Sequence, residues 1–247
     1  MDNIDQILNL KSDESYEIYK DNGSLIHLLH AANLGNELAS KQMHLFNYYF
    51  THEYLCYLII TSHKSYKYSL NNLGFLYKYG LGVEQNYDLA KEYFIKSDTP
   101  QSLNNLGYMY NHGQGVTQDY NKAIEYYTKS DTPTSLSNLG YMYNHGQGVT
   151  QDYDKAREYY TKSNTPQSLN NLGYMYSHGL GVKRDYDKAR EYYTKSNTPQ
   201  SLNNLGHMYY RGLGVARDYD KAREYFTKSG TPQSLNNLIA LDAYYKS

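Results

Sequence analysis

The chain has 247 residues, with 24 lysine and arginine residues against 25 aspartate and glutamate residues. This near balance excludes the strongly basic surface that a whole-chain nucleic-acid binder would need. The single cysteine, Cys56, excludes an internal disulfide and is typical of a protein from a reducing compartment.

Residues 1–68 precede the regular part of the chain. They begin with an acidic stretch, Met1 to Asp5, whereas a secretory signal begins with basic residues and a long apolar run. The most apolar segment, Tyr54 to Ile60, falls far short of the roughly 20 residues that cross a bilayer. We therefore expect a soluble, cytoplasmic protein that binds no membrane, with residues 1–68 forming an N-terminal helical cap.

From residue 69 onward the chain repeats every 33 residues. The segment Ser-Leu-Asn-Asn-Leu-Gly, or a close variant, begins at positions 69, 102, 135, 168, 201 and 234. A fixed period of roughly 20–50 residues is typical of solenoids, in which each repeat buries its apolar face only against its neighbours. The period predicts a C-terminal capping helix over 234–247, preceded by five repeats: 69–101, 102–134, 135–167, 168–200 and 201–233.

The second repeat illustrates the first helix of each repeat. Thr99 and Pro100 predict its start, because threonine is a good N-cap and proline is favoured at the first helical position. Gly113 predicts its end, because glycine readily adopts the left-handed C-cap conformation. Between them, apolar side chains recur at helical spacing: Leu103, Leu106, Met109 and Tyr110.

A second helix follows in the same repeat. Asp119 is its predicted N-cap, and Glu125 and Lys129 form a favourable i,i+4 pair on its outer side. Its packing face is predicted to contain Tyr120, Ala123, Tyr126 and Tyr127. Each repeat is therefore predicted to be a helical hairpin.

A glycine also stands inside every predicted first helix, at positions 74, 107, 140, 173 and 206. Glycine destabilises a helix interior by about 1 kcal/mol relative to alanine. We therefore expect a close helix–helix contact at each glycine, made by a neighbouring hairpin.

Taken together, these motifs resemble the Sel1-like repeat, a relative of the tetratricopeptide repeat. The resemblance rests on Leu-Gly-x-x-Tyr, Gly-x-Gly-Val, Asp-Tyr-x-Lys-Ala and Tyr-Tyr-x-Lys, and it covers residues 69–247. The family's Ala-Ala-x-x-Gly turn is replaced by a shorter Asp/Asn-Thr-Pro, although residues 31–37 resemble it and indicate a degenerate repeat over 24–68. The resemblance implies an all-α fold: an α/α solenoid, a right-handed superhelix of antiparallel helical hairpins with a 33-residue period.

The resemblance also implies a binding groove on the first helices. The corresponding positions of the tetratricopeptide repeat face a concave surface that holds peptides, and asparagine and tyrosine suit a peptide backbone and its side chains. The alternative is that some of these asparagines tie adjacent helices together. The candidate groove residues are Asn71, Asn72, Phe75, Asn104, Asn105, Tyr108, Asn111, His112, Asn138, Tyr141, Asn170, Asn171, Tyr174, Asn203, Asn204 and His207.

We predict no catalytic residue, cofactor site or metal site. The Gly113-x-Gly115 turn lacks the third glycine and the Gly-Lys-Ser/Thr ending of phosphate loops. His112, His145 and His178 occur once per repeat, about 10 Å apart, which is too far for two of them to share a zinc ion. Cys56 is interpreted as a small core residue.

These observations favour a non-enzymatic scaffold or adaptor that binds an extended peptide or protein segment, with no cofactor. Three alternatives stay open: a hydrolase of the β-lactam-related kind, a nucleic-acid-binding helical repeat, and a self-associating structural protein. The single cysteine excludes the disulfide-rich architecture of the first. The second, which we consider less favoured, would use residues 168–247, which carry 11 basic against 7 acidic side chains. The third would use the N-terminal region around Tyr54–Ile60.

Overall fold

The computed structural model describes the backbone of residues 67–246 and the side chains of residues 67–241. The predicted N-terminal cap, the degenerate repeat over 24–68 and Cys56 lie outside the described residues. Within them the chain forms eleven helices and no strand. The helices are α1 (Lys67–Tyr79), α2 (Tyr87–Ser97), α3 (Pro100–His112), α4 (Tyr120–Ser130), α5 (Pro133–His145), α6 (Tyr153–Ser163), α7 (Pro166–His178), α8 (Tyr186–Ser196), α9 (Pro199–Arg211), α10 (Tyr219–Ser229) and α11 (Pro232–Lys246).

The chain divides into two compact units, Met1–Ser130 and Asp131–Ser247. In the described part of the first unit, α1 pairs with α2 and α3 pairs with α4, and α2 packs against α3. In the second, the hairpins α5–α6, α7–α8 and α9–α10 pack in succession, and α11 packs against α10. The prediction of an all-α solenoid of helical hairpins is thus confirmed within each unit.

Local capping explains where the first helices begin and end. The backbone N–H of Ser102 donates to Thr99 Oγ1 (3.2 Å), and the N–H of Thr99 donates to Ser102 Oγ (2.8 Å). Two backbone donors at the helix start are therefore satisfied by one capping box. Gly113 ends α3 in the left-handed conformation, with φ = 66°. Both boundaries lie where the sequence predicts them.

The second helices use a different pair of caps. Asp185 Oδ1 accepts the N–H of Lys188 at 2.9 Å at the start of α8. At its end Asn197 is left-handed, with φ = 48°, and it is followed directly by Thr198, the N-cap of α9. Asparagine and aspartate tolerate this conformation better than most residues. The shortened turn between hairpins is therefore a left-handed residue followed by an N-cap threonine.

A buried serine closes each hairpin. In α8, the hydroxyl of Ser196 donates to the carbonyl oxygen of Pro166, at the start of α7, at 2.7 Å. The same bond, with the same length, joins Ser97 to Lys67, Ser130 to Pro100, Ser163 to Pro133 and Ser229 to Pro199. We call this bond the serine clasp. It fixes the end of the second helix on the start of the first.

The core lies between successive hairpins. Ala189 and Tyr193 of α8 pack against Leu205 and Met208 of α9, and all four side chains are buried. The equivalent residues form the core in the preceding repeat of this unit and, in the first unit, between α2 and α3. Burial of these residues against the next hairpin, as the solenoid prediction requires, is confirmed.

The helix glycines pack in a way the sequence did not indicate. A Cβ atom built on Gly140 would stand 2.6 Å from Cδ1 of Tyr160, closer than real Cβ atoms approach another atom. Tyr160 belongs to α6, the second helix of the same hairpin, so the expectation of a neighbouring hairpin at this glycine is wrong. The neighbouring hairpin instead approaches a loop glycine, Gly181, where an added Cβ would overlap Tyr153.

Candidate functional site

The candidate groove residues all lie on the first helices α1, α3, α5, α7 and α9, but their accessibility differs. Asn170 is buried. Exposed members are Phe75, His112, Tyr141 and Tyr174. Half-buried members are Asn71, Asn72, Asn104, Asn105, Tyr108, Asn111, Asn138, Asn171, Asn203, Asn204 and His207. The aromatic positions are therefore more accessible than most of the amides.

In the second unit, asparagine amides join successive first helices. Nδ2 of Asn204 donates to Oδ1 of Asn170 at 3.3 Å, and Nδ2 of Asn237 donates to Oδ1 of Asn203 at 3.1 Å. Each bond connects the first asparagine of one repeat with the second asparagine of the next. For these four residues the geometry favours the alternative that the amides tie adjacent helices together.

In the first unit, several amide oxygens have no donor. Oδ1 of Asn71, Asn104 and Asn111 is buried and accepts no hydrogen bond within residues 67–241. An unsatisfied buried carbonyl destabilises a fold by about 1–3 kcal/mol. These oxygens are therefore acceptors that a water molecule or an N–H group would stabilise.

Three repeats present a stacked tyrosine–histidine pair at the end of the first helix. The rings of Tyr141 and His145 lie 4.0 Å apart between centroids, as do those of Tyr174 and His178 and those of Tyr108 and His112. In α5 the histidine Nδ1 lies 2.9 Å from the carbonyl oxygen of Tyr141, which can only accept, so Nδ1 carries the proton. This bond leaves the other ring nitrogen, Nε2, unengaged.

The three tyrosines and His112 are among the groove residues predicted from sequence. His145 and His178 were missed as members of the groove, because they were considered only as metal ligands. The signal was present, since tyrosine and histidine recur four residues apart and residues at i and i+4 share a helix face. The first repeat has Phe75 and Tyr79 at these positions, with ring centroids 4.5 Å apart.

The last repeat departs from this pattern. His207 replaces the tyrosine, and its ring contacts Phe226 edge-on at 5.2 Å. Its Nε2 lies 3.0 Å from Nδ2 of Asn237. Burial and the charge of Arg211 lower the pKa of His207 below its usual value. A neutral imidazole that accepts the amide N–H fits these surroundings.

Lys78 was not a candidate residue, but it belongs to the same row of positions on the first helices. It occupies the position of Asn111 in the first repeat and is only 2% exposed. Its ammonium group lies 4.2 Å from the ring centroid of Tyr108 and 5.1 Å from that of Tyr79. Burial lowers its pKa from 10.5 to about 8. No carboxylate among the described residues forms an ion pair with it, so the aromatic faces provide its electrostatic stabilisation.

Tyrosine hydroxyls of the second helices also reach this surface. The Oη of Tyr193 lies 3.2 Å from the Oγ of Ser177, whereas the Oη of Tyr127 is buried without a partner. Burial raises the pKa of Tyr193 to about 12 and that of Tyr127 still further. The hydroxyls are therefore protonated at neutral pH and act as donors or acceptors, not as bases.

Many acidic side chains stabilise the helices. On the outer side of the second helices the predicted pair Glu125–Lys129 is present at 2.7 Å, and it recurs in later repeats as Glu158–Lys162 at 2.8 Å, Glu191–Lys195 at 2.6 Å and Glu224–Lys228 at 2.6 Å. Among residues 67–241, no three histidine, cysteine or acidic side chains converge in a way that could hold a metal ion. None of the helices in residues 67–246 combines the length and apolar character that a membrane crossing requires.

Comparison with known proteins matches the repeats to one family model. The model is described as the Sel1 repeat, and it matches residues 67–97, 100–130, 133–164, 166–197 and 199–231. These ranges follow the hairpins of the structure closely. Among proteins with curated descriptions, none matches the chain.

Several solved structures resemble this one, among them the following two. The first is c5321, a protective antigen of uropathogenic Escherichia coli strains displaying an SLR fold, with 28% identity and a TM-score of 0.72. The match covers 93% of this chain and 51% of that protein, so this chain spans about half of its length. The second is a Sel1 repeat protein from Oxalobacter formigenes, with 23% identity, a TM-score of 0.68, and coverage of 78% of this chain and 86% of that one.

Proposed function

Because this chain belongs to the Sel1 repeat family, we propose that it is a non-enzymatic scaffold that holds an extended segment of another protein along its first helices. The observation that carries the proposal is the periodic, accessible aromatic surface. Tyr141 and Tyr174 are 44% and 45% exposed, and each stacks on a histidine. A partner side chain can bury apolar area on the tyrosine ring while its polar groups bond the histidine Nε2.

Fewer of the asparagines are available to bind a partner than the resemblance implies. In the second unit, Asn170 and Asn203 already accept hydrogen bonds from the next helix. In the first unit, the free oxygens of Asn71, Asn104 and Asn111 can accept backbone N–H groups of an extended segment, although binding must first open these buried atoms to the partner. The aromatic pairs therefore contribute contact area, and the free amide oxygens orient the backbone of the bound segment.

The acidic residues support a binding role over a hydrolytic one. General acid–base catalysis needs a carboxylate or imidazole of suitable pKa within reach of a substrate. Here Asp185 caps α8, and within α8 Asp187 pairs with Arg190 and Glu191 pairs with Lys195, so these acidic residues are engaged in structure. The repetition of the same pairs in each hairpin indicates that they stabilise helices.

A peptide-display selection against the purified chain would test the proposal. Enriched peptides are measured by fluorescence anisotropy against the wild type, the groove variant Tyr141→Ala/Tyr174→Ala, and a matched control, Glu158→Ala/Glu191→Ala, on the outer face. We expect the groove variant to bind at least about tenfold more weakly, and the control to bind as the wild type does. Equal binding by all three proteins, or no enriched peptide, would contradict the proposal.

A further inference from the structure

The turn inside each hairpin changes its chemistry along the chain. In the first three hairpins a glutamine caps the preceding helix: Nε2 of Gln85, Gln118 and Gln151 donates to a backbone carbonyl of its last turn at 2.8–2.9 Å. In the fourth and fifth hairpins the same position is Arg184 and Arg217. A structural hydrogen-bond donor has thus been replaced by a charged side chain.

Both arginines leave the helix end and lie over an aromatic ring. The guanidinium carbon of Arg184 is 5.4 Å from the ring centroid of Tyr186, and that of Arg217 is 6.0 Å from that of Tyr219. Both side chains are exposed. Each guanidinium therefore lies close to an aromatic face, and Nη1 of Arg217 also donates to the Oη of Tyr219 at 3.4 Å. A guanidinium held near a ring can still present its remaining N–H groups to an anion.

The two turns form one continuous edge within the second unit. Gly214, in the fifth hairpin's turn, packs directly against Tyr186, the residue on which Arg184 stacks. The same turn accepts a hydrogen bond from the fourth hairpin, because Nη1 of Arg190 donates to the carbonyl oxygen of Gly214 at 3.2 Å. Arg211, at the end of α9, borders the same turn. We call the edge formed by Lys183, Arg184, Arg211 and Arg217 the basic edge.

The positive charge of the basic edge is not neutralised by the described part of the chain. None of its four side chains forms an ion pair with a described carboxylate, whereas Arg157 and Arg190 of the same unit pair with aspartates at 2.8 Å. The acidic residues of the two turns, Asp185 and Asp218, are engaged as N-caps. Among the residues that the structure describes, these four exposed cations therefore have no carboxylate partner.

We propose that the basic edge binds an acidic segment of a partner protein, with aspartate or glutamate carboxylates bonded by the two arginine forks. This site borders the aromatic surface at Arg211, which occupies the position of the stacked histidines, whereas Lys183, Arg184 and Arg217 lie in the turns. The proposal stands even if the aromatic surface binds nothing. Guanidinium groups fixed on a ring suit carboxylates well, because both nitrogen donors can reach both oxygens. A segment that follows two neighbouring turns would contact all four side chains.

Charge around the edge favours such a segment over a nucleic acid. On the helix that follows the fourth turn, Asp187 is paired with Arg190 and Glu191 with Lys195. The unpaired positive charge therefore does not continue along this helix, so the edge suits a short acidic segment better than a long polyanion. Affinity for nucleic acid also depends on neutralising many phosphates, and the edge offers only four cations.

The chain itself supplies the matched variant for a test. Lys183→Thr, Arg184→Gln, Arg211→His and Arg217→Gln replace each cation with the residue found at the equivalent place in the third repeat: Thr150, Gln151 or His145. Because Gln151 caps its helix, the glutamines are expected to preserve the turns. The probe is a short fluorescent peptide of alternating glutamate and serine, with a glutamine–serine peptide as its neutral control.

We expect the wild type to bind the acidic peptide at least about tenfold more tightly than the neutral peptide, and the fourfold variant to lose that difference. Binding should weaken as salt is added. The reciprocal variant Thr150→Lys/Gln151→Arg, which extends the edge by one turn, should bind more tightly than the wild type. Circular dichroism of each variant checks that the helices are intact, and the single variants Arg184→Gln and Arg217→Gln replace the fourfold variant if it fails to fold.

Two results would overturn the proposal. In one, the acidic and neutral peptides bind alike, or the folded variants bind as the wild type does. In the other, a single-stranded oligonucleotide of equal charge binds more tightly than the peptide and loses its binding in the same variants, which would assign the edge to nucleic acid.

Discussion

At the scale of single residues, the structure leaves no room for a side chain at Gly140. Replacement by alanine would favour the helix by about 1 kcal/mol in isolation. In the hairpin, however, the new Cβ would collide with the buried ring of Tyr160. We expect Gly140→Ala to lower the free energy of unfolding, and Gly140→Leu to lower it further, by about 1–3 kcal/mol through overpacking.

Urea unfolding of the purified variants measures this effect. Thr134→Ala is the matched control, because Thr134 is exposed on the same helix and its replacement should not lower stability. If Gly140→Ala proved as stable as Thr134→Ala, the close contact with Tyr160 would be contradicted.

Lys78 gives a prediction about pH. The folded state holds its pKa at about 8, against 10.5 for an ordinary lysine, because burial disfavours the charged form. Below about pH 8 both states carry the charge, so the full destabilisation is present. Between about pH 8 and 10.5 the unfolded state binds more protons than the folded state, so this residue's contribution to stability rises with pH. We expect Lys78→Met, which keeps the length of the side chain, to be more stable than the wild type at pH 7, with the difference narrowing towards pH 10.

The measurement is the difference between the two unfolding free energies at each pH, because the many tyrosines titrate in both proteins and cancel. A difference that stays constant from pH 7 to 10 would show that Lys78 has an ordinary pKa. A lower stability of Lys78→Met at neutral pH would show that contact with Tyr108 outweighs burial.

At the scale of elements, the serine clasp holds the two helices of a hairpin together. Ser196→Ala would leave the carbonyl oxygen of Pro166 without its 2.7 Å donor. Because the serine is buried, we expect a loss of about 1–3 kcal/mol in the free energy of unfolding. Thr194→Ala, at an exposed site of the same helix, serves as the control and should change stability little. Equal unfolding curves for the two variants would show that water replaces the clasp without loss.

The helix boundaries could be predicted from sequence because their causes are local. Thr99 lies within three residues of Ser102, its capping partner, and Gly113 takes the left-handed form at its own position. The serine clasp could not be predicted, because its acceptor is a backbone carbonyl 30 residues earlier. Neither could the partner of Gly140, since sequence indicates a close approach without saying which helix makes it.

The candidate site, like the fold, could be predicted only in part from the sequence. Helical spacing places the chosen residues on the first helices, as the structure has them. An asparagine amide, however, can bond a ligand or a neighbouring helix equally well, and only the 3.3 Å distance between Asn204 and Asn170 decides for that pair. Lys78 was missed because nothing in its sequence neighbourhood indicates burial.

At the scale of the whole molecule, the repeats should be removable one at a time. Deleting residues 168–200 joins Gln167 to Ser201 and restores the same Thr-Pro-Gln-Ser order with which α9 and its N-cap begin. Because each hairpin buries its core only against its neighbours, we expect a folded, helical chain with a lower melting temperature. Circular dichroism melting would measure this. Loss of helicity at room temperature would contradict the nearest-neighbour packing.

Two helices of identical sequence can compete as packing partners while the chain folds. Tyr153–Ser163 and Tyr186–Ser196 have the same eleven residues, with the same caps and the same serine clasp. The first helix α5 therefore cannot distinguish these two partners by their side chains. Its shorter connection to α6 decides, and since loop-closure entropy grows only slowly with length, that preference is modest. At high protein concentration, helices of separate molecules compete for the same pairing, so exchange of hairpins between chains is the misfolded product to expect.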